Sequence, residues 1–280
     1  MTYNIVCDSS CDLKSMEIQA GQLYFTSVPL RILVGDREYT DDETLDVPEL
    51  LTAMQGGKGT AGTACPSPES FARAFEAADC SVCFTISSNL SGTYNAAILA
   101  RNLVLEEHPE KQICVIDSRS TAGVLVLLAT RARELLSGEA PDFDAVCSEL
   151  RTYQASLRTV FTLSCYDNLI KNGRMRPLVG TLLHTLGIHV IADATAQGTI
   201  HVTGKARGEA KTFAAIVEFM QQSKECAGAH VCLSHCENLE GALRLKELIL
   251  QKLPVAEVTI LACRGLTSFY AMPGGLILGY

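Results

Sequence analysis

Three short, nearly continuous apolar runs set the plan of the first half of the chain: Tyr3-Asn4-Ile5-Val6-Cys7, Ser81-Val82-Cys83-Phe84-Thr85-Ile86 and Gln112-Ile113-Cys114-Val115-Ile116. Each stops at a polar cluster: Asp8-Ser9-Ser10, Ser87-Ser88-Asn89 and Asp117-Ser118. Such runs suit strands buried on both faces. Between them apolar residues recur at three to four positions, as in Phe71, Phe75 and Ala78, and again in Ala96, Leu99, Ala100 and Leu103. Strand, helix and strand in alternation predict an α/β fold with a parallel sheet and helices on its faces. Ligands bind such sheets at the carboxyl ends of the strands, where the polar clusters fall.

Helix boundaries can be read from local chemistry. Ser67-Pro68 offers an N-cap and a first-turn proline, with Glu69 beside the helix dipole. A long helix is predicted from Gly123 to about Leu136, and a further one from Asp142-Phe143-Asp144 to about Ala155. The pattern then changes, so a domain boundary is placed near 156, giving units 1–156 and 157–280. The second unit reads as strands near 159–163, 188–192, 199–203, 229–234, 258–262 and 275–278, with helices around 209–222 and 238–252. Two of those strands flank Gln197-Gly198 as a hairpin, so this sheet is mixed or largely antiparallel.

A chain of 280 residues, 48% of them apolar, is long enough for two cores. The formal charge of −8, without a long basic run, argues against a nucleic-acid surface and against docking on anionic lipid. Neither a signal segment nor a spanning stretch is read, so a cytoplasmic location without stable membrane insertion is expected. Most of the 12 cysteines lie in strand-like runs, where a thiol is a small hydrophobe. Cys80-Ser81-Val82-Cys83 has redox or metal spacing, and His230, Cys232, His235 and Cys236 could supply zinc ligands. Core positions are the simpler reading of both, with a metal- or redox-responsive regulator as the alternative.

The densest candidate is Ile86-Ser87-Ser88-Asn89-Leu90-Ser91-Gly92-Thr93-Tyr94. Ser91 reads as an N-cap, and the exposed first-turn amides would attract an anion. Capping alone is the competing reading. Gly92 permits close approach of a ligand or backbone. An acyl hydrolase using Ser91 is the enzymatic alternative, but Asn89-Leu90-Ser91-Gly92-Thr93 lacks the first glycine of the G-x-S-x-G elbow. Gly56-Gly57-Lys58-Gly59-Thr60 fails the phosphate-loop spacing and reads as a mobile loop, while the second hydroxyl stretch, residues 59–68, precedes a helix start.

Seven motifs in order carry a wider likeness: Asp8-Ser9-Ser10-Cys11-Asp12-Leu13; Val28-Pro29-Leu30 with Gly35 and Tyr39-Thr40-Asp41; Thr63-Ala64-Cys65-Pro66-Ser67-Pro68; Ser88-Asn89-Leu90-Ser91-Gly92-Thr93-Tyr94; Val115-Ile116-Asp117-Ser118; Asn172-Gly173-Arg174; and Lys205-Ala206-Arg207-Gly208. In this order and spacing the sequence resembles the DegV family, bacterial fatty-acid-binding proteins, some of which present the acid to a partner kinase. The resemblance covers essentially the whole chain. It implies two α/β domains with an acyl chain of about C14–C18 lying between them, no catalytic group and no cofactor beyond that ligand. It also implies that Thr63, Ser91, Gly92 and Thr93 hold the carboxylate. Arg174 would lie near the head group, and Lys205 and Arg207 would face a fatty acid kinase catalytic subunit.

The chain departs from the family pattern in three places. Ala64-Cys65 stands where Ser-Gln is usual. Phe269-Tyr270-Ala271-Met272-Pro273-Gly274 replaces a Thr-His-Thr-Gly-Pro-Gly pattern, leaving the Tyr270 hydroxyl to donate where a histidine would. Leu186-Gly187-Ile188-His189-Val190 lacks a usual Lys-Pro pair.

Overall fold

The computed structural model describes residues 1–18, 22–56, 60–176 and 187–280. Gly57, Lys58 and Gly59 of the glycine-rich stretch, and Leu186, lie outside the described residues. The first half runs β1 (Tyr3–Asp8), β2 (Leu23–Val28), β3 (Arg31–Val34), β4 (Arg37–Thr40), α1 (Val47–Gly56), β5 (Ala61–Ala64), α2 (Pro68–Glu76), β6 (Cys80–Thr85), α3 (Thr93–Glu107), β7 (Gln112–Asp117), α4 (Gly123–Leu136) and α5 (Phe143–Ser156). The second half runs β8 (Thr159–Leu163), α6 (Asp167–Lys171), β9 (Ile188–Ala194), β10 (Ile200–Arg207), α7 (Glu209–Ser223), β11 (His230–His235), α8 (Leu239–Lys252), β12 (Glu257–Ala262), α9 (Gly265–Ala271) and β13 (Leu276–Gly279).

The predicted parallel sheet is present, in the order β2-β1-β6-β7. Every residue of β1 and β6 is buried, as the unbroken apolar runs require. A six-stranded sheet, β10-β9-β8-β13-β11-β12, is antiparallel except at its β11–β12 pair. The β9–β10 hairpin turns at Gln197-Gly198 as expected, with Gly198 at φ +78°.

Helix α4 lies between the two sheets. It packs on β1 and β6 from one side and on β11 and β13 from the other, with nine of its residues buried. Its first two turns, Gly123 to Ala129, are apolar all round and need such a setting. Gly123 sets the spacing, because a Cβ there would lie 2.5 Å from the Cys232 carbonyl oxygen and 3.0 Å from the Gly279 nitrogen.

The structure corrects three local expectations. On α3 the buried face is Thr93, Ala97, Ala100 and Val104, while Leu99 and Leu103 are 50% and 47% exposed. Two adjacent stripes have helical period, and the small one wins because Phe71 and Phe75 of α2 fill the space against it. Ser91 is not the cap of α3; Gly92 holds that position, without a side-chain cap. Finally, residues 61–64 of the second hydroxyl stretch, where no strand is expected from the sequence, form β5, the edge of a three-stranded antiparallel sheet β4-β3-β5. Neither this sheet nor β2 stood out in the sequence, because their strands are short and half-exposed.

Candidate functional site

The carboxyl ends of β1, β6 and β7 face the six-stranded sheet, and hydrogen bonds from the hydroxyl-rich stretch fasten the two together. Ser87 Oγ donates to the Gly198 carbonyl at 2.8 Å and Asn89 Nδ2 to that of Gln197 at 2.7 Å, seating the hairpin tip. Ser88 donates through Oγ and N to the two Asp117 carboxylate oxygens, at 2.6 and 3.1 Å. Ser91 and Thr93 share a 2.8 Å hydroxyl–hydroxyl bond. The cluster therefore divides its labour: 87 and 89 clamp the hairpin, 88 braces the next loop, and 91 stays at the surface of a cavity.

That cavity has a volume of about 790 Å³, a figure that takes in the open space at its mouth. Leu30, Ile86 and Leu90 wall it from the first half of the chain. Phe161, Leu163, Leu169, Ile200, Leu266 and Ile277 wall it from the second. Thr159, Phe161 and Leu163 alternate along β8, so every second residue of the strand faces the cavity. Polar groups in the lining include Thr63, Ser91, Arg174 and Tyr270, with Ser120, Thr121, Thr159, Thr199 and Thr267 elsewhere along it. Ser120 and Thr159 hydrogen-bond each other through their hydroxyls.

Thr63 and Tyr270, far apart in sequence, meet through a 2.9 Å bond between Thr63 Oγ1 and the Tyr270 hydroxyl. Pairing of β5 with β3 sets Thr63 opposite Ile32. Tyr270 is carried by α9 and stands edge-on to Phe269, with ring centroids 4.8 Å apart. Arg174 reaches the cavity because α6 ends in a Schellman turn: Gly173 at φ +74° donates to the Ile170 carbonyl, and Arg174 N to that of Leu169. Its Nε donates to the Leu90 carbonyl at 3.1 Å, tying α6 to the loop that carries Ser91.

Gly92 is exposed and Thr93 buried; neither lines the cavity directly, though Thr93 orients Ser91. A Cβ on Gly92 would sit 3.6 Å from the exposed Cys65 thiol. Lys205 and Arg207 project as exposed residues from the edge strand β10 and are outside the cavity lining. Among the described residues no group of histidine, cysteine and acidic side chains is arranged to hold a metal ion. Cys80 and Cys83 point into different cores, and Cys232 and Cys236 are buried.

A second polar layer, unforeseen in the sequence, holds α9 in place. Asp41 accepts the first-turn amides of Gly265 and Leu266, both at 2.8 Å, and buried Arg264 donates to the Asp41 and Leu13 carbonyls and to Ser27. Asp12 accepts Arg264 N at 2.9 Å and the Thr267 hydroxyl; Asp8 accepts the amides of Ser10 and Ile86. Burial pushes the Asp8 and Asp12 carboxyls up to about 6, against the hydrogen bonds that favour their ionised forms. It also raises Asp41, opposed first by Arg264. The acidic residues of the first motif, and Asp41, were the available signal for this layer.

This two-sheet arrangement with a lined cavity has relatives. A family model described as "Uncharacterised protein, DegV family" matches residues 2–278. The chain belongs to the DegV family. A DegV domain-containing protein of Streptococcus pneumoniae is 37% identical over 280 residues, spanning 100% of this chain and 99% of the relative. Among solved structures, the Streptococcus pneumoniae fatty acid kinase (Fak) B3 protein loaded with linoleic acid is similar at a TM-score of 0.95 and 37% identity, covering 100% of this chain and 99% of that one. A DegV family protein from Eubacterium eligens loaded with heptadecanoic acid gives a TM-score of 0.93 at 32% identity, with 99% of each chain covered. The α/β architecture, parallel sheet against mixed sheet, is thus the DegV fold.

Proposed function

We propose that this DegV protein binds one long-chain fatty acid, of about C14–C18, in the cavity between its sheets. The observation that carries the reading is a cavity whose exposed wall is mostly apolar, with Thr63, Ser91, Tyr270 and Arg174 among its polar groups. The DegV relatives loaded with linoleic and heptadecanoic acids support it. On this reading the boundary between the ligand-gripping units falls at 156/157, after α5.

The energetics separate tail from head. About fifteen methylenes leaving water contribute on the order of 12 kcal/mol gross, at ~0.8 each. A hydrogen bond to a carboxylate contributes roughly 1.5 to 3, and ordering the ligand consumes part of the sum. The wall therefore sets affinity, and the polar end sets which way the acid lies. Ser91 and one member of the Thr63–Tyr270 pair donate to the carboxylate, the other member's proton being held in their mutual bond, with the amides at Gly92 and Thr93 beside them, while the Arg174 guanidinium offers charge complementarity.

A carrier role agrees with the surroundings of Ser91. Its partner is the Thr93 hydroxyl, and among the described residues no histidine lines the cavity, so nothing there would activate Ser91 as a nucleophile. Lys205 and Arg207 on the exposed β10 edge are the surface offered to a fatty acid kinase catalytic subunit. Reversing both charges should leave fatty-acid binding intact and abolish phosphorylation of the bound acid in a reconstituted reaction.

Native mass spectrometry of the purified protein, before and after delipidation and titration with oleate, tests the main reading. One bound acid per chain is expected. A chain that stays free of lipid throughout the titration overturns it.

A further inference from the structure

Of the 12 cysteines, two share a buried cluster on neighbouring elements, one of them capped by an arginine, outside the lining of the lipid cavity. Cys114 lies on β7, the edge strand of the parallel sheet, and Cys147 on α5, which packs over that strand. Arg151 Nη2 donates to the Cys114 sulfur at 3.3 Å, and Cys147, one turn before Arg151 on the same face of α5, lies in the same buried cluster as Cys114. Arg101 of α3 adds a second positive charge, and Asp144 is the acidic group facing the pair.

We propose that Cys114 and Cys147 are a peroxide-sensitive dithiol that closes to a disulfide joining β7 to α5.

The electrostatics assign the roles. The neighbouring Cys147 thiol, then Arg151 and Arg101, hold Cys114 below the usual thiol range despite burial; the neighbouring Cys114 and burial raise Cys147. Cys114 is therefore the nucleophile and Cys147 the proton-bearing partner. The core pair Cys7 and Cys11 makes the contrast. Those sulfurs also adjoin, but both residues are fully buried without a cation beside them, and burial pushes Cys7 well up. The Cys114 and Cys147 residues are 5% and 4% exposed under the exposed Arg151, which admits a small oxidant and excludes a bulky one.

The oxidant is a hydroperoxide, ROOH. The Cys114 thiolate attacks its terminal oxygen, the O–O bond breaks, and the alcohol (water, for hydrogen peroxide) leaves after taking a proton. The sulfenic acid on Cys114 is then attacked by the Cys147 sulfur. The S–S bond forms, the S–O bond breaks, and the oxygen departs as water with the Cys147 proton. In sum, two thiols and one ROOH give one disulfide, one ROH and one water.

The test treats the intact protein with a small excess of hydrogen peroxide, alkylates the remaining thiols in urea and maps tryptic peptides. Peptides 112–119 and 134–151 each carry one cysteine of the pair. They should appear joined, lighter by two hydrogens than their sum, and should separate on reduction with dithiothreitol. In Arg151→Gln, checked for an unchanged thermal midpoint, the crosslink should form several-fold more slowly, with Arg151→Lys restoring part of the rate. In Cys147→Ser, dimedone should trap Cys114 as a sulfenic acid. Full alkylation of both peptides while the exposed Cys65 oxidises, or a crosslinking rate indifferent to Arg151, overturns the proposal.

Discussion

Tyr270 stands where the sequence resemblance implies a histidine, and it lines the cavity beside Thr63. The phenol keeps a hydrogen-bonding group at the cavity and already engages Thr63, yet a phenol has no cationic form and cannot serve the way imidazolium can. Tyr270→Phe keeps the ring against Phe269 and removes only the hydroxyl; fatty-acid affinity should fall up to about tenfold, on the ~1 kcal/mol scale of one hydrogen bond. Thr63→Val, which also leaves the Tyr270 hydroxyl without its partner, should raise Kd by roughly 10- to 100-fold. Displacement of a fluorescent fatty acid measures both, and changes under twofold would remove these residues from the head-group site. Asp8 and Asp12 make a separate prediction. With their carboxyls pushed up to about 6 by burial, the native state binds protons more readily than the unfolded chain. Their contribution to stability is therefore fully present below about pH 4 and is lost as pH rises through about 6. Each ionisation opposes folding at neutral pH by a cost on the order of 3 kcal/mol. Thermal melts should show Asp12→Asn gaining on the wild type at pH 7.5, with the gap closing towards pH 5.

At the scale of elements, the decisive contact is the tip of the β9–β10 hairpin on the loop after β6. Gly198 sits at φ +78°, and a Cβ there would fall 2.2 Å from Ser87 Oγ and 2.8 Å from Arg119 Cα. Gly198→Ala should destabilise the protein by about 1–3 kcal/mol through strain and overpacking, and should weaken lipid binding by lifting Ala194 and Ile200 from the wall. Urea denaturation and lipid titration of the same variant check both effects. Some of this was legible beforehand. Gln197-Gly198 announced a turn, and Ser67-Pro68, Gly123 and Asp142 marked helix starts that the structure keeps within a residue or so. The face of α3 was not legible. Periodicity allowed Ala96-Leu99-Leu103 as readily as Ala97-Ala100-Val104, and only the bulk of Phe71 and Phe75 on the neighbouring helix chose the small stripe.

For the molecule as a whole, the cavity is a space between two sheets that have separate cores but share α4. Occupation by lipid should therefore stabilise both together: at a free ligand concentration 100 times Kd the gain is about 2.7 kcal/mol. Delipidated protein should melt several degrees lower and in one transition, with the midpoint restored by adding oleate; scanning calorimetry with and without lipid decides this. The sequence by itself determined the strand and helix alternation, the mixed second sheet, the turns, and the hydroxyl groups waiting at strand ends, because each depends on neighbours within a few positions and on burial that a run of side chains already encodes. The tertiary structure alone decided that Thr63 meets Tyr270, that Ser87 commits its hydroxyl to Gly198, that the buried Asp12 and Asp41 anchor the start of α9, and that Phe161 and Ile277 line a void instead of filling one. Those pairings span tens to hundreds of residues, and their energy exists only once sheets, loops and the helix between them are packed at fixed distances.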